Sequence, residues 1–267
     1  MSLIKHFSTK TSLTRPLPSQ PLSPEPLPTE LLPTELLPTE PLPTEPLPTA
    51  ETLPIVETFH SVQGEGFWTG VSAFFIRLAG CDVGCTWCDT KHAWPMAHHP
   101  QKTVDSLVKK AVAAKPFMVV ITGGEPLMHD LNPLTQHLRE AGLRVHLETS
   151  GAHPLSGTFD WISLSPKRFK PPLEDSYTRA DELKVVIKDS ADLAWAAETA
   201  SKVADGTVKL LQPCWTISDD NRGPQQAPQQ APQQTPQQAP QQLVFDYVLS
   251  HPDWRVGLQT HKFLGVR

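Results

Sequence analysis

Short apolar runs alternate along the chain with longer stretches of helical period. Apolar or β-branched runs of strand length occur at 73–79, 118–122, 144–148, 161–165, 183–188, 208–212 and 254–259. Apolar residues recurring every three or four positions predict helices over 104–114, 131–141 and 191–204, with a fourth candidate at 243–249. Strands interleaved with helices predict parallel pairing through helical crossovers, as an open sheet or a barrel. Polar and glycine signals gather just past the strand ends. Cys81 follows the first run, Gly123 to Pro126 the second and Ser150 the third. Pro166 and Lys167 follow the fourth, and Pro213 the sixth. Folds of this kind build active sites at the C-terminal ends of their strands, so the pattern predicts an enzyme.

Two tracts interrupt the alternation. Residues 26–50 repeat every five positions as PLPTE, LLPTE, LLPTE, PLPTE, PLPTA. Proline fixes φ and removes a backbone donor, so the tract predicts an extended or disordered arm over 1–53. Residues 224–242 repeat PQQA or PQQT, with ten Gln and no charge, and predict a surface loop insertion. Thirteen of the 29 prolines fall in 1–54 and five in 224–242. The remaining 194 residues hold eleven, an ordinary domain's composition. The predicted plan is an arm at 1–53 and a single core domain at 54–267, with 224–242 inserted in it. Outside 1–54 and 224–242 lie 20 basic and 22 acidic residues, which gives no electrostatic footprint for nucleic acid. No apolar stretch reaches membrane-spanning length. The first fifteen residues lack an apolar core, so a reducing, cytoplasmic setting is expected.

Cys81-Asp-Val-Gly-Cys85-Thr-Trp-Cys88 spaces three thiols as C-x3-C-x2-C. Gly84 permits the tight reversal that lets three sulfurs on one short loop converge on a soft centre. A structural zinc site takes four ligands, and no second cysteine pair follows. Cys214, inside Gln212-Pro213-Cys214-Trp215, is the one other cysteine, 126 positions beyond Cys88. Three thiolates without a dedicated fourth suit a [4Fe–4S] cluster with one iron open to another ligand. The alternatives are zinc, with Cys214 or a histidine as fourth ligand, and unliganded thiols. The plain reading of Cys214 is a small buried apolar residue.

The triplet, with aromatic Trp87 before its last thiol, resembles the signature of radical S-adenosylmethionine enzymes. Ile121-Thr-Gly-Gly-Glu-Pro126 resembles the glycine-rich strand end of the same superfamily. Within it, roughly residues 54–223 and 243–267 resemble the 7-carboxy-7-deazaguanine synthases of queuosine biosynthesis. The resemblance is carried by Glu57-Thr-Phe-His-Ser-Val-Gln-Gly-Glu-Gly66, Phe75-Ile-Arg-Leu-Ala-Gly80 and Cys88-Asp-Thr90. It continues through Glu148-Thr-Ser-Gly151, Ser163-Leu-Ser-Pro-Lys167 and Glu182-Leu-Lys-Val-Val186. Leu211-Gln-Pro213 and Gln259-Thr-His-Lys262 complete it. The Gln-Gly-Glu-Gly start and the Cys-Asp-Thr extension discriminate most, because generic radical enzymes lack both.

The resemblance implies an α/β fold, an incomplete (β/α) barrel of the radical S-adenosylmethionine type, in a homodimer. It implies conversion of 6-carboxy-5,6,7,8-tetrahydropterin to 7-carboxy-7-deazaguanine, with ring contraction and loss of ammonia. Cys81, Cys85 and Cys88 would hold the cluster that splits S-adenosylmethionine to a 5′-deoxyadenosyl radical. A protein electron donor such as a flavodoxin or ferredoxin is implied with it. Arg77 would fork onto the substrate carboxylate. Val62, Gln63, Gly64 and Glu65 would read the pterin edge, with Thr122 and His261 as further substrate contacts. Thr90 would be the protein ligand of Mg²⁺, a hard ion that keeps most of its water. Gly124 would take the methionyl ammonium, and Ser165, Pro166 and Lys167 the methionyl and ribose side. Gln212, Pro213, Cys214 and Trp215 would approach the adenine, with Cys214 standing where the family usually has Met. Glu148 and Ser150 are further candidate cofactor contacts, and Asp89 a supporting residue or cap. The other ten histidines carry no expected role.

Two other functions share part of this sequence pattern: an activating enzyme that installs a glycyl radical on a partner protein, and a non-catalytic zinc scaffold. The cluster reading predicts that Cys85→Ala abolishes S-adenosylmethionine cleavage and leaves the fold largely intact. 5′-Deoxyadenosine formation and circular dichroism check it; cleavage at the wild-type rate contradicts it.

Overall fold

The computed structural model describes residues 51–215 and 239–266. Most of the predicted arm, and the predicted insertion up to residue 238, lie outside the described residues. The described chain is a mixed α/β fold around one sheet. Its strands are β1 (Thr52–Val62), β2 (Ser72–Leu78), β3 (Gln101–Thr103), β4 (Met118–Gly123) and β5 (Val145–Thr149). β6 (Trp161–Leu164), β7 (Glu182–Ile187), β8 (Val208–Pro213) and β9 (Trp254–Val256) complete it. The order is β3-β1-β2-β4-β5-β6-β7-β8-β9. β2 and β4 through β9 pair in parallel, and β1 runs antiparallel between β2 and β3. The helices are α1 (Val104–Ala114), α2 (Asn132–Glu140), α3 (Glu174–Thr178), α4 (Ser190–Ala200), α5 (Pro240–Ser250) and α6 (Thr260–Leu264). No described helix is long and apolar enough to cross a membrane.

Period-two alternation divides the sheet into two unlike faces. On one face Phe74, Ile76, Leu78, Val119, Ile121, Val145 and Leu147 pack against Leu107 of α1 and Leu134 and Leu138 of α2. Further along the same face Leu183, Val185, Ile187 and Leu211 pack against Tyr177 of α3, Ala196 of α4 and Val244 of α5. Each fully buried Leu or Ile contributes about 2 kcal/mol, so this face holds the sheet together. The opposite face begins with a small cluster of Ala73, Phe75, Met118 and Val120. It then turns polar. Parallel register sets Arg77 beside Thr122, Glu148 beside Ser163 and Ser163 beside Glu182. Glu148 and Thr122 are joined by a hydrogen bond of 2.9 Å, which continues the row.

The helices start where side-chain caps allow. The Thr103 hydroxyl accepts from the Ser106 N–H, and Asp189 accepts from the N–H groups of Ala191 and Asp192. The structure departs from the sequence expectations at the edges. β1 opens at Thr52, two residues ahead of the predicted boundary, because Leu53 and Ile55 are buried in the core. Pro54 inside it hides the strand from a sequence reading. α5 opens at Pro240, three residues before the predicted 243; proline's fixed φ suits the first helical turn. The predicted strand 254–259 ends at Val256, beyond which Gly257 N–H donates to Leu211 C=O and turns the chain toward α6.

Candidate active site

Two joined cavities lie at the C-terminal ends of the parallel strands. The first, of about 310 Å³, is lined by Cys81, Cys85 and Cys88 on one side and by Val62, Gln63, Gly64, Glu65, Arg77 and Thr122 on another. Thr90, Gly124, Glu148, Ser150, Ser165, Lys167 and His261 also line it. The second, of about 710 Å³, shares Cys85, Cys88, Ser165 and Lys167 and extends to Gln212, Cys214 and Trp215. Pro166 lines neither; it borders a separate pocket of about 170 Å³ with Trp87 and Phe169. Pro213 closes β8 and also lines neither cavity.

The strand ends are fixed by one carboxylate that the sequence reading left without a role. Glu125 is 1% exposed and accepts from the N–H of Leu127, the hydroxyls of Thr149 and Ser150 and the N–H of Ser150. Its own N–H donates to Gly80 C=O, and Gly124 N–H donates to Leu78 C=O. The two glycines are needed by the protein itself. A Cβ on Gly124 would run into the Gly80 carbonyl and Cys81, and one on Gly123 into Leu78 backbone. Gly123 also holds a φ of +140°. The cysteine loop therefore leaves β2 pressed against the end of β4.

Gly84 turns that loop with φ +77°, as the spacing predicts. All three thiols are half-buried. Burial pushes Cys81 and Cys85 up from their ordinary pKa, and the Lys167 ammonium beside Cys85 opposes this. The Lys167 chain folds back onto Ser165, donating to its hydroxyl at 2.8 Å and to its carbonyl. Cys88 Sγ accepts from Thr90 N–H at 3.3 Å. The Thr90 hydroxyl donates to Asp89, which pairs with Lys262 at 3.1 Å. Among the described residues, no three His, Cys, Asp or Glu side chains form a ready metal cage.

The other wall is a hydrogen-bonded network. Gln63 donates to one oxygen of Glu148 at 2.9 Å, and Thr122 donates to the other. Burial works to raise the Glu148 pKa, but Lys184, His146 and these two donors outweigh it and hold it at about 2. Glu148 and Ser150, expected as cofactor contacts, line only the cavity that also holds Gln63 and Thr122. Arg77 pairs through Nε with Glu57 at 3.0 Å, beside the Phe59 ring, and still faces the cavity. Glu65 is held by Lys184 and by Gln259 Nε2, the latter at 2.6 Å. Gly64 C=O accepts from the Thr260 N–H and hydroxyl, and a Cβ on Gly64 would strike His261. Helix α6 is thereby fastened over the 62–66 loop. Lys184 and Gln259 stand in matched segments without an assigned role; their partners lie 119 and 194 positions away.

Comparison with known proteins agrees with this geometry. The family model of the radical SAM superfamily matches residues 75–188. A 7-carboxy-7-deazaguanine synthase of Synechocystis sp. is 53% identical over 214 residues, 80% of this chain and 93% of that protein. That of Escherichia coli K12 is 32% identical over 240 residues, 80% of this chain and 98% of that protein. The crystal structure of QueE from Escherichia coli superposes with a TM-score of 0.64 at 31% identity, over 79% of this chain and 95% of that one.

His146 lies beneath Glu148 on β5, 3% exposed, with neither ring nitrogen partnered among the described residues. Burial first, and Lys184 next, push its pKa down to about 4, against the opposing pull of Glu148. Between about pH 6.5 and 4 the unfolded chain takes up a proton that the folded one refuses, so stability falls with pH by up to about 3 kcal/mol. Glu148, depressed below its ordinary value, adds its own loss only under the ordinary carboxylate range. Guanidinium unfolding between pH 7 and 5 checks this: His146→Leu should flatten the slope, and an unchanged slope contradicts the assignment. Taken with the shared cavity of the three thiols, the comparisons establish that the chain belongs to the 7-carboxy-7-deazaguanine synthase family, lyases of the radical SAM superfamily.

Proposed function

We propose that the chain converts 6-carboxy-5,6,7,8-tetrahydropterin to 7-carboxy-7-deazaguanine in the smaller cavity, with S-adenosylmethionine in the larger. The supporting observation is that the cysteine loop, Arg77 and the Gln63 to Glu65 segment all face one cavity of about 310 Å³. We read the sheet as an incomplete (β/α) barrel whose polar face forms the cavity wall. The division into a proline-rich arm and a core domain carrying the Pro/Gln-rich insertion belongs to the same proposal, with the core opening at β1.

The donor set suits a [4Fe–4S] cluster: three half-buried thiols on one loop, with a lysine beside Cys85 that favours the thiolate. Cys81, Cys85 and Cys88 would hold such a cluster, which would supply reductive cleavage of S-adenosylmethionine and, through it, hydrogen abstraction from the substrate. Backbone at Gly124 receives the methionyl ammonium. Ser165 and Lys167 face the methionyl and ribose side, with Pro166 shaping the turn between them. Gln212, Cys214 and Trp215 line the space for the adenine, and Pro213 sets their strand end. Backbone contacts to the adenine would survive the exchange of the family's Met for Cys214, whose N–H donates to the Ile187 carbonyl.

Arg77 aims a planar fork of donors at the substrate carboxylate, with its Nε fixed by Glu57. The Glu65 carboxylate and Gln63, with Val62 and Gly64 backbone, read the donors and acceptors of the pterin edge. Thr122 and His261 complete that contact. Glu148 stays ionised in the cavity wall and holds Gln63 and Thr122 in place. The Thr90 hydroxyl, braced by Asp89, offers Mg²⁺ one hard oxygen and leaves the remaining positions to water and the substrate carboxylate. α6 closes over the substrate and excludes water. A homodimer and an electron donor such as a flavodoxin or ferredoxin are carried over from the family resemblance.

The anaerobically reconstituted chain, given reductant, S-adenosylmethionine and Mg²⁺, should yield the ring-contracted acid by mass spectrometry. Arg77→Ala should lower kcat/KM by about 100-fold, the loss of a charge-assisted contact. Free formation of 5′-deoxyadenosine with no ring-contracted product, or full activity in Arg77→Ala, contradicts the proposal.

A further inference from the structure

Lys184 lies midway along β7 on the polar face of the sheet, and its side chain is 7% exposed. It borders both cavities. Its ammonium donates to Glu65 Oε2, while Gln259 donates to Oε1. The carboxylate plane of Glu65 is thus held at both oxygens, one from the sheet and one from the segment leading into α6. A carboxylate has about four lone-pair positions, so each oxygen keeps one for a further donor. The aminopyrimidine edge of a pterin presents two adjacent N–H donors, which match a carboxylate held in a fixed plane. Unbraced, a glutamate on a glycine-flanked loop would sample several rotamers and lose that match.

Lys184 also balances charge. Glu65 on the loop, Glu148 and His146 on β5 and Glu182 on β7 all act on it, as does Lys167 from the turn after β6. Burial alone would push its pKa down, but the surrounding carboxylates hold it above the ordinary lysine value. Glu182, 1% exposed, is occupied by the Ser163 hydroxyl and the Phe67 N–H. Lys167 is occupied by Ser165. Lys184 is the cation placed to serve Glu65.

We infer that Lys184 is a positioning residue for pterin recognition: it sets the Glu65 carboxylate in the plane that reads the substrate's paired N–H donors, and keeps that wall of the cavity anionic. This rests on the proposal that a pterin occupies the smaller cavity. The test measures binding apart from turnover. The carboxytetrahydropterin is titrated onto the reconstituted full chain with S-adenosylmethionine but no reductant, from pH 5 to 8. Lys184→Met should raise Kd by about 30-fold, as expected when one partner of a buried charge pair is removed. Glu148 then loses the largest charge that holds its pKa down, so binding should weaken further toward the acid end of that range, a limb absent from the wild type. Lys184→Arg should recover most of the affinity. If Lys184→Met does not fold, Glu65→Gln is read in its place and should weaken binding to a similar extent. Wild-type affinity and a flat pH profile in Lys184→Met, or wild-type affinity in Glu65→Gln, overturns the inference. A wild-type chain that does not bind the pterin overturns the functional proposal, and this inference with it.

Discussion

The buried carboxylate of Glu125 ties together the ends of three strands, and the site depends on that tie. An ion removed from water is tolerated when its lone pairs are filled by well-aimed donors. Glu125 receives four, from Leu127, Thr149 and Ser150, while its own N–H reaches back to Gly80. The end of β2, the glycine pair after β4 and the Glu148 to Ser150 corner of β5 are thereby one body. The cysteine loop departs from that body, and the glycines let it approach without a Cβ in the way.

Below this rim, the sheet keeps its two faces for two purposes. The helix-facing side is apolar and supplies cohesion. The other side carries Ser163, Glu182, Lys184 and Gln212, all buried, and Glu148, which is partly buried. Such an interior is costly unless its groups satisfy one another, and here most do: Glu148 with Gln63 and Thr122, Glu182 with Ser163, Lys184 with Glu65, while Gln212 Oε1 has no partner among the described residues. His146 pays the remaining cost by staying neutral. The polar network gives the smaller cavity a fixed donor and acceptor pattern before any ligand arrives, which reduces what must be ordered on binding.

Much of this was readable from the chain. The strand at 118–122 follows from an almost continuous apolar run buried on both sides, and those at 144–148 and 161–165 from the alternation of apolar and polar positions. The thiol triplet is legible because short spacing brings its three sulfurs onto one loop, whereas Arg77 and Gln63-Gly-Glu65 stand out only through the family resemblance. Other features were hidden for physical reasons. β1 mixes polar and apolar residues because it lies near the sheet edge, and α3 and α6 are five residues each, too short to show a period. Glu125 reads as part of a glycine motif until its donors 24 and 25 positions on are seen. The Lys184 to Glu65 and Gln259 to Glu65 contacts join distant segments, and no local pattern encodes them. Pro166 and Pro213 show the converse: adjacency in a motif does not ensure adjacency to a cavity.

We propose that this tied rim presents Cys81, Cys85 and Cys88 to an iron–sulfur cluster whose open iron would take S-adenosylmethionine. Electron paramagnetic resonance of the anaerobically reconstituted, reduced chain, taken with and without S-adenosylmethionine, tests it most directly. The account predicts about four irons and four sulfides per chain and a signal whose g-values shift when S-adenosylmethionine is added. A chain that binds zinc without iron, or an iron–sulfur signal indifferent to S-adenosylmethionine, would contradict it.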